Sequence, residues 1–171
     1  ALEVIWLKDH LKVYGQNYGP LTSFFCSFND PDIDSADQLE PHAIDLGDCW
    51  IDSGPNALSV VDVVLSANHL QICSRRQSGN SKISPGIRNV SVHLNFSVKN
   101  QDKGGLGVIE TAWDQAIDFK CSEMYFGCTG WKLILNHSKQ SVTACSPDGK
   151  EINFAEFQGE RLLNHYQSMF Q

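Results

Sequence analysis

Asn89-Val-Ser-Val-His-Leu-Asn-Phe-Ser-Val-Lys-Asn-Gln-Asp-Lys-Gly-Gly-Leu106 is the stretch from which the fold is read. Val90, Val92, Leu94, Phe96 and Val98 are apolar, and Ser91, His93, Asn95, Ser97 and Lys99 between them are polar. Unbroken alternation of this kind is the pattern of a strand with one face in a core and one toward water. Asn100, Asp102, Gly104 and Gly105 tolerate positive φ, so the strand is expected to end in a hairpin turn.

Working outward, the other apolar segments are read in the same way. Residues 4–7 and 11–14, separated by Lys8-Asp9-His10, give a hairpin, and Leu21 to Cys26 gives a further strand. Ile44 to Ile51 is taken as a short strand stopped by Asp52-Ser-Gly-Pro-Asn56, and Leu58 to Leu65 as a strand turning back into Leu70 to Cys73. Ser74 to Arg88 is a polar loop. Trp131 to Leu135 and Ser141 to Cys145 form another hairpin, and Phe157, Leu162, Tyr166, Met169 and Phe170 lie at helical spacing near the C-terminus. The fold class expected is therefore mainly β, a single domain over 1–171 built of antiparallel hairpins with one C-terminal helix.

Length and composition agree with a folded domain: hydrophobic residues make up 42% and charged residues 19% of the 171 positions. The net charge of −7 disfavours nucleic acid and anionic membrane as partners, and no apolar run has membrane-spanning length. Cys26, Cys49, Cys73, Cys121, Cys128 and Cys145 form no Cys-x-x-Cys pair, so disulfides are expected in place of a metal or redox motif. Sequons at Asn89, Asn95 and Asn136 point the same way, to a secreted, glycosylated product starting after a removed signal peptide.

Three strands end in Cys-Ser, at Cys26, Cys73 and Cys145. Each is followed by a polar loop and a leucine element, at Leu46-Gly47, Leu94-Asn95 and Leu163-Asn164. This suggests an internal repeat over about 4–57, 58–107 and 121–171, a unit that buries its apolar face against a copy of itself. Ser91-Val-His-Leu-Asn95, then Asn100-Gln-Asp102 and Leu106, resembles the repeat of cyanovirin-N homology lectins, with Asp62 to Cys73 similar to the preceding hairpin and Ile44 to Leu58 similar to a decayed first copy. Gly47 stands where the pattern expects Asn, and Lys103 is an extra residue.

That resemblance implies sugar binding through Ser74, Arg75, Arg76 and Gln77 with Lys99, Asn100 and Asp102, and through Asn29 and Asp30 in the first copy. Asp30, Asp32 and Asp34 match the opening ligands of a calcium loop, but Ser35 and Pro41 replace its glycine and bidentate glutamate. No His-Glu-x-x-His, Gly-x-Ser-x-Gly or phosphate-binding glycine loop is present. Glu110, Asp114 and Asp118 are read as surface acids, with a small carboxylate hydrolase as the least favoured reading. The sequence leads to a non-catalytic secreted lectin without metal or cofactor, its partner a glycan. The alternative is a secreted effector, inhibitor or decoy whose acidic surface binds a basic extracellular protein.

Overall fold

The computed structural model describes residues 2–33, 38–65, 69–78, 87–97, 104–113, 119–127 and 130–157. They form three helices, α1 (Leu2–Tyr18), α2 (Pro41–Leu46) and α3 (Cys49–Leu65), and eight strands. The strands are β1 (Leu21–Asp30), β2 (His69–Ser78), β3 (Asn89–Ser97), β4 (Gly105–Trp113), β5 (Phe119–Phe126), β6 (Trp131–Asn136), β7 (Ser141–Cys145) and β8 (Glu151–Glu156).

All eight strands belong to one sheet, in the order β2-β3-β4-β1-β5-β6-β7-β8. Only β1 and β4 run parallel; every other neighbouring pair is antiparallel. The topology follows from one crossover. From the central strand β1 the chain passes through α2 and α3 to the edge strand β2, and meanders inward through β3 to β4 beside β1. It then meanders outward through β5 to β8. A parallel neighbour needs such a crossover, and α3 supplies it.

The opening stretch behaves as its pattern dictates. Val90, Val92, Leu94 and Phe96 are buried, while Ser91, His93 and Asn95 alternate with them on the other face. The buried face continues through Phe24, Cys26 and Phe28 of β1, Ile109 of β4, Met124 and Phe126 of β5, and Leu133 and Leu135 of β6. α3 packs on β1, β3 and β4, and α1 on α3 and β6. The mainly β expectation holds, but as one mixed sheet with helices, not a sandwich of simple hairpins.

Four local readings are corrected. Residues 4–7 and 11–14 are α1, because Glu3, Leu7 and Tyr14 are buried, with Leu11 and Tyr18 packed beside them, which is helical spacing. Ile44 to Ile51 spans α2 and the start of α3, divided at Gly47, whose φ of 70° closes α2 with its N–H bonded to Ala43 O. Leu58 to Leu65 is α3: Cys49, Ser53, Ala57, Val60, Val61 and Val64 are buried, again at helical spacing. Residues 74–78, read as loop, complete β2. The leucine elements of the apparent repeat therefore sit in unlike structure, Leu46 at the end of α2 and Leu94 inside β3. The C-terminal helix expectation beyond Phe157, the turn at 98–103 and the third repeat's leucine lie outside the described residues.

The disulfide expectation is also corrected. Cys26, Cys49, Cys73, Cys121 and Cys145 are free thiols; Cys128 is outside the described residues. The geometry explains it. Cys26 faces the core beside Ser122, its register partner, so Cys121 points to the opposite face of the sheet. Cys49 lies on α3 against Thr111, and Cys73 is exposed on the edge strand. Burial pushes the Cys26 thiol up to about 12 and those of Cys49 and Cys121 up to about 11, which removes them as nucleophiles at neutral pH.

One contact fixes how closely β4 approaches β1. Gly107 is the register partner of Phe24, and a Cβ there would lie 2.2 Å from the Phe24 ring. Gly107→Ala is expected to destabilise the fold by ~1–3 kcal/mol through overpacking, and Phe24→Leu in the same chain to recover part of that loss in urea unfolding.

Candidate active site

The parallel pair β1 and β4 ends beside the first turn of α3. In open α/β sheets the crevice at the carboxyl ends of parallel strands is where ligands bind, because helix starts and strand ends converge there. Here that position gathers Asp30 at the end of β1, Trp113 at the end of β4, Lys120 near the start of β5, and Asp52 and Ser53 in α3.

Asp30 is held on both oxygens: Oδ1 is in an ion pair with Lys120 Nζ, and Oδ2 accepts from Ser53 Oγ–H. The Asp30 and Lys120 side chains are 17% and 15% exposed, so this pair is partly withdrawn from water and more strongly coupled than a surface pair. Asp52 Oδ2 accepts the Trp113 indole N–H at 3.2 Å. That donor leaves Asp52 Oδ1 without a partner among the described residues. Asn56, one turn further along α3, is exposed.

A second group flanks the first. Asp48 Oδ1 accepts the Trp50 backbone N–H at 2.8 Å, capping α3, and Asp48 Oδ2 lies 3.8 Å from the Arg75 guanidinium. Asp32 bonds His42 Nε2 at 2.9 Å. Burial, only partly offset by His42, raises the Asp32 carboxyl above its ordinary range, with Asp30 and Asp52 adding to the shift. Because its folded pKa exceeds the unfolded one, its ionised form destabilises the fold, and wild type gains stability as pH falls through that pKa. Asp32→Asn is therefore expected to lose stability relative to wild type as pH is lowered, in paired thermal melts across the acidic range.

The residues singled out in the sequence separate here. Asp30 is at the centre of the cluster and Arg75 at its margin. Ser74, Arg76 and Gln77 lie exposed along β2, and Asn29 sits on the face of β1 opposite Asp30. Lys99, Asn100 and Asp102 are outside the described residues. Asn89 and Asn95 are exposed on β3, and Asn136 accepts the Lys139 backbone N–H at 2.8 Å. Glu110 is on β4 with Ser91 at 3.4 Å, away from the cluster; Asp114 and Asp118 are outside the described residues. Sequence reasoning missed Asp52, Ser53 and Lys120. The signal available was Asp52-Ser-Gly54 itself, which was read as a strand stop.

Solved structures with a similar fold were found. A 3-ketoreductase from Actinomadura kijaniata, in complex with TDP-benzene and NADP, matches with a TM-score of 0.71 at 14% identity, over 96% of this chain and 48% of that one. An oxidoreductase from Sinorhizobium meliloti matches at 0.63 and 12% identity, over 89% and 39%. Levoglucosan dehydrogenase, in complex with NADH and levoglucosan, matches at 0.60 and 14% identity, over 89% and 43%. The chain has the fold of part of each of these proteins. The chain spans less than half the length of each of these proteins. No protein-family profile and no curated protein matches it.

These likenesses overturn the non-catalytic lectin expectation, and the decoy module with it, since the proteins that carry this fold here are dehydrogenases and reductases. None of the helices described is long and apolar enough to cross a membrane. The nicotinamide nucleotide of those complexes does not fit the described residues of this chain. A dinucleotide pyrophosphate sits on a glycine-rich turn at a helix N-terminus. The N-terminus of α3 is instead occupied by the Asp48 carboxylate.

Proposed function

We propose that this chain is the substrate-side part of an oxidoreductase that interconverts a carbinol and a carbonyl, with the nucleotide held outside the described residues. The observation that carries this reading is the convergence of Asp52, Asp30, Lys120, Ser53 and Trp113 at the carboxyl ends of β1 and β4. Likeness of fold to dehydrogenases and ketoreductases supports it.

In this reading Asp52 is the group that faces substrate. Its Oδ2 is fixed by the Trp113 indole, and Oδ1 is placed to accept a hydroxyl hydrogen bond and then the proton as the carbinol is oxidised. In the reverse direction the protonated carboxyl returns it to the carbonyl oxygen. Asp30, Lys120 and Ser53 are positioning residues. Ser53 adjoins Asp52 in the chain, so the bond from Ser53 to Asp30 ties the first turn of α3 to the strand ends.

The experiment is a turnover screen of the protein at its full natural length, with NAD or NADP, across small alcohols, polyols and their ketones. Nucleotide reduction with at least one carbinol is expected. Absence of turnover across the panel with both nucleotides contradicts the reading. Lys120→Met is expected to reduce kcat/KM by roughly tenfold or more, as positioning losses do, with a loss of stability because Asp30 is left partly buried and unpaired.

A further inference from the structure

We infer that this site takes an uncharged polyhydroxylated substrate and rejects the anionic counterpart of the same compound, an inference that rests on the oxidoreductase reading above. The argument is the state of each charge around Asp52. Lys120 is committed to Asp30, which also holds Ser53. Arg75 lies against Asp48, whose other oxygen caps α3. His42 is bonded to Asp32. The Arg88 backbone carbonyl receives the Trp113 N–H at 2.9 Å beside the cluster.

Among the described residues, Asp52 is then the one carboxylate of the cluster with no cationic partner; the indole N–H is its single donor. A carboxylate or phosphate on the substrate meets that charge, and Lys120, Arg75 and His42 must each first leave an existing partner to answer it. Like charges brought together beside a partly buried carboxylate are disfavoured, and a polar group that loses its partner there costs more again. A neutral polyol meets the opposite situation. Its hydroxyls donate to Asp52 Oδ1, and exposed Asn56, one turn along α3, offers both a donor and an acceptor.

The test uses matched pairs on the full-length protein: glucose against glucuronate, and a polyol against its phosphate. Binding is followed by calorimetry and turnover by nucleotide reduction. The neutral member of each pair is expected to be favoured by about tenfold or more, with the gap narrowing as salt rises. Asp30→Asn, which releases Lys120, is expected to narrow the same ratio at low salt, and the wild-type ratio stands as the measurement if that variant folds poorly. An anion preferred in wild type overturns the inference and leaves the oxidoreductase reading intact. A neutral member that binds preferentially but is never turned over upholds the inference and counts against that reading. No binding of either member overturns the inference.

Discussion

Replacing His137 by alanine is expected to cost the fold ~3–5 kcal/mol. Glu3 and His137 are 0% and 1% exposed, and Glu3 Oε1 lies 2.8 Å from His137 Nδ1. The contact is part of a buried polar chain. His137 Nε2 is 2.8 Å from Ser122 Oγ, and Ser122 Oγ is 3.3 Å from Cys26 Sγ. Phe28 stacks on the imidazole at 5.1 Å between ring centroids.

His137 thus bridges Glu3 through Nδ1 and Ser122 through Nε2, and the Ser122 O–H donates to Cys26 Sγ. Removing the imidazole leaves the Glu3 carboxyl buried without its partner, while its Oε2 already has none among the described residues. The consequence is not the cost of one hydrogen bond but of a stranded acid. Replacing both members, Glu3→Leu with His137→Phe, is expected to be far milder than His137→Ala alone, because no acid remains to be stranded. Urea unfolding of wild type, single and double variants decides this. A single variant within about 1 kcal/mol of wild type contradicts the account.

The chain also links stability to the site. The His137 backbone N–H donates to Lys120 O at 2.7 Å, and Lys120 is the cation that holds Asp30. Core and cluster therefore meet at one strand end, where β5 begins. Glu3 and His137 lie far apart in sequence, and nothing in either local pattern marks them as partners; only the docking of α1 against β6 brings them together.

What the sequence made legible follows the same physical division. β3 was readable because its apolar and polar residues alternate without a break and one face is core. β6 and β7 were readable for the same reason, joined by a short polar turn at Asn136 to Gln140. α3 was not. Val60, Val61, Val63 and Val64 are β-branched and nearly contiguous, so strand preference and helical burial compete, and burial against β1 and β4 decides. α1 was hidden by Lys8-Asp9-His10, which imitates a turn but lies on the helix's outer side. Gly54 and Pro55 in turn disguised the start of α3, and with it the site. Asp30 stands out in the sequence only as part of an acidic loop, Asp52 reads as a turn residue beside Gly54 and Pro55, and Lys120 carries no local signal. A cluster assembled from three strand ends and a helix start is a property of topology, which a linear pattern does not carry.

The proton-transfer role proposed for Asp52 carries the largest expected effect on activity. Asp52→Asn keeps the shape and the Trp113 hydrogen bond but cannot take up the proton, and loss of a positioned general base typically costs ~10²–10⁴ in rate. The fall is expected in kcat more than in KM, since the amide NH2 in place of Oδ1 can still donate a hydrogen bond to the hydroxyl oxygen. Stability is expected to change little, because Asp52 lacks a cationic partner among the described residues. Asp62, exposed on the same helix, provides the control: Asp62→Asn makes the same change of charge and is expected to leave activity at the wild-type level.

The measurement that bears most directly on the site is therefore kcat of wild type, Asp52→Asn and Asp62→Asn for one carbinol substrate, with thermal melts taken in parallel. A loss of about a hundredfold or more confined to Asp52→Asn, at an unchanged melting temperature, is the expected result. Equal turnover by Asp52→Asn and wild type contradicts the assignment of this cluster as the active site.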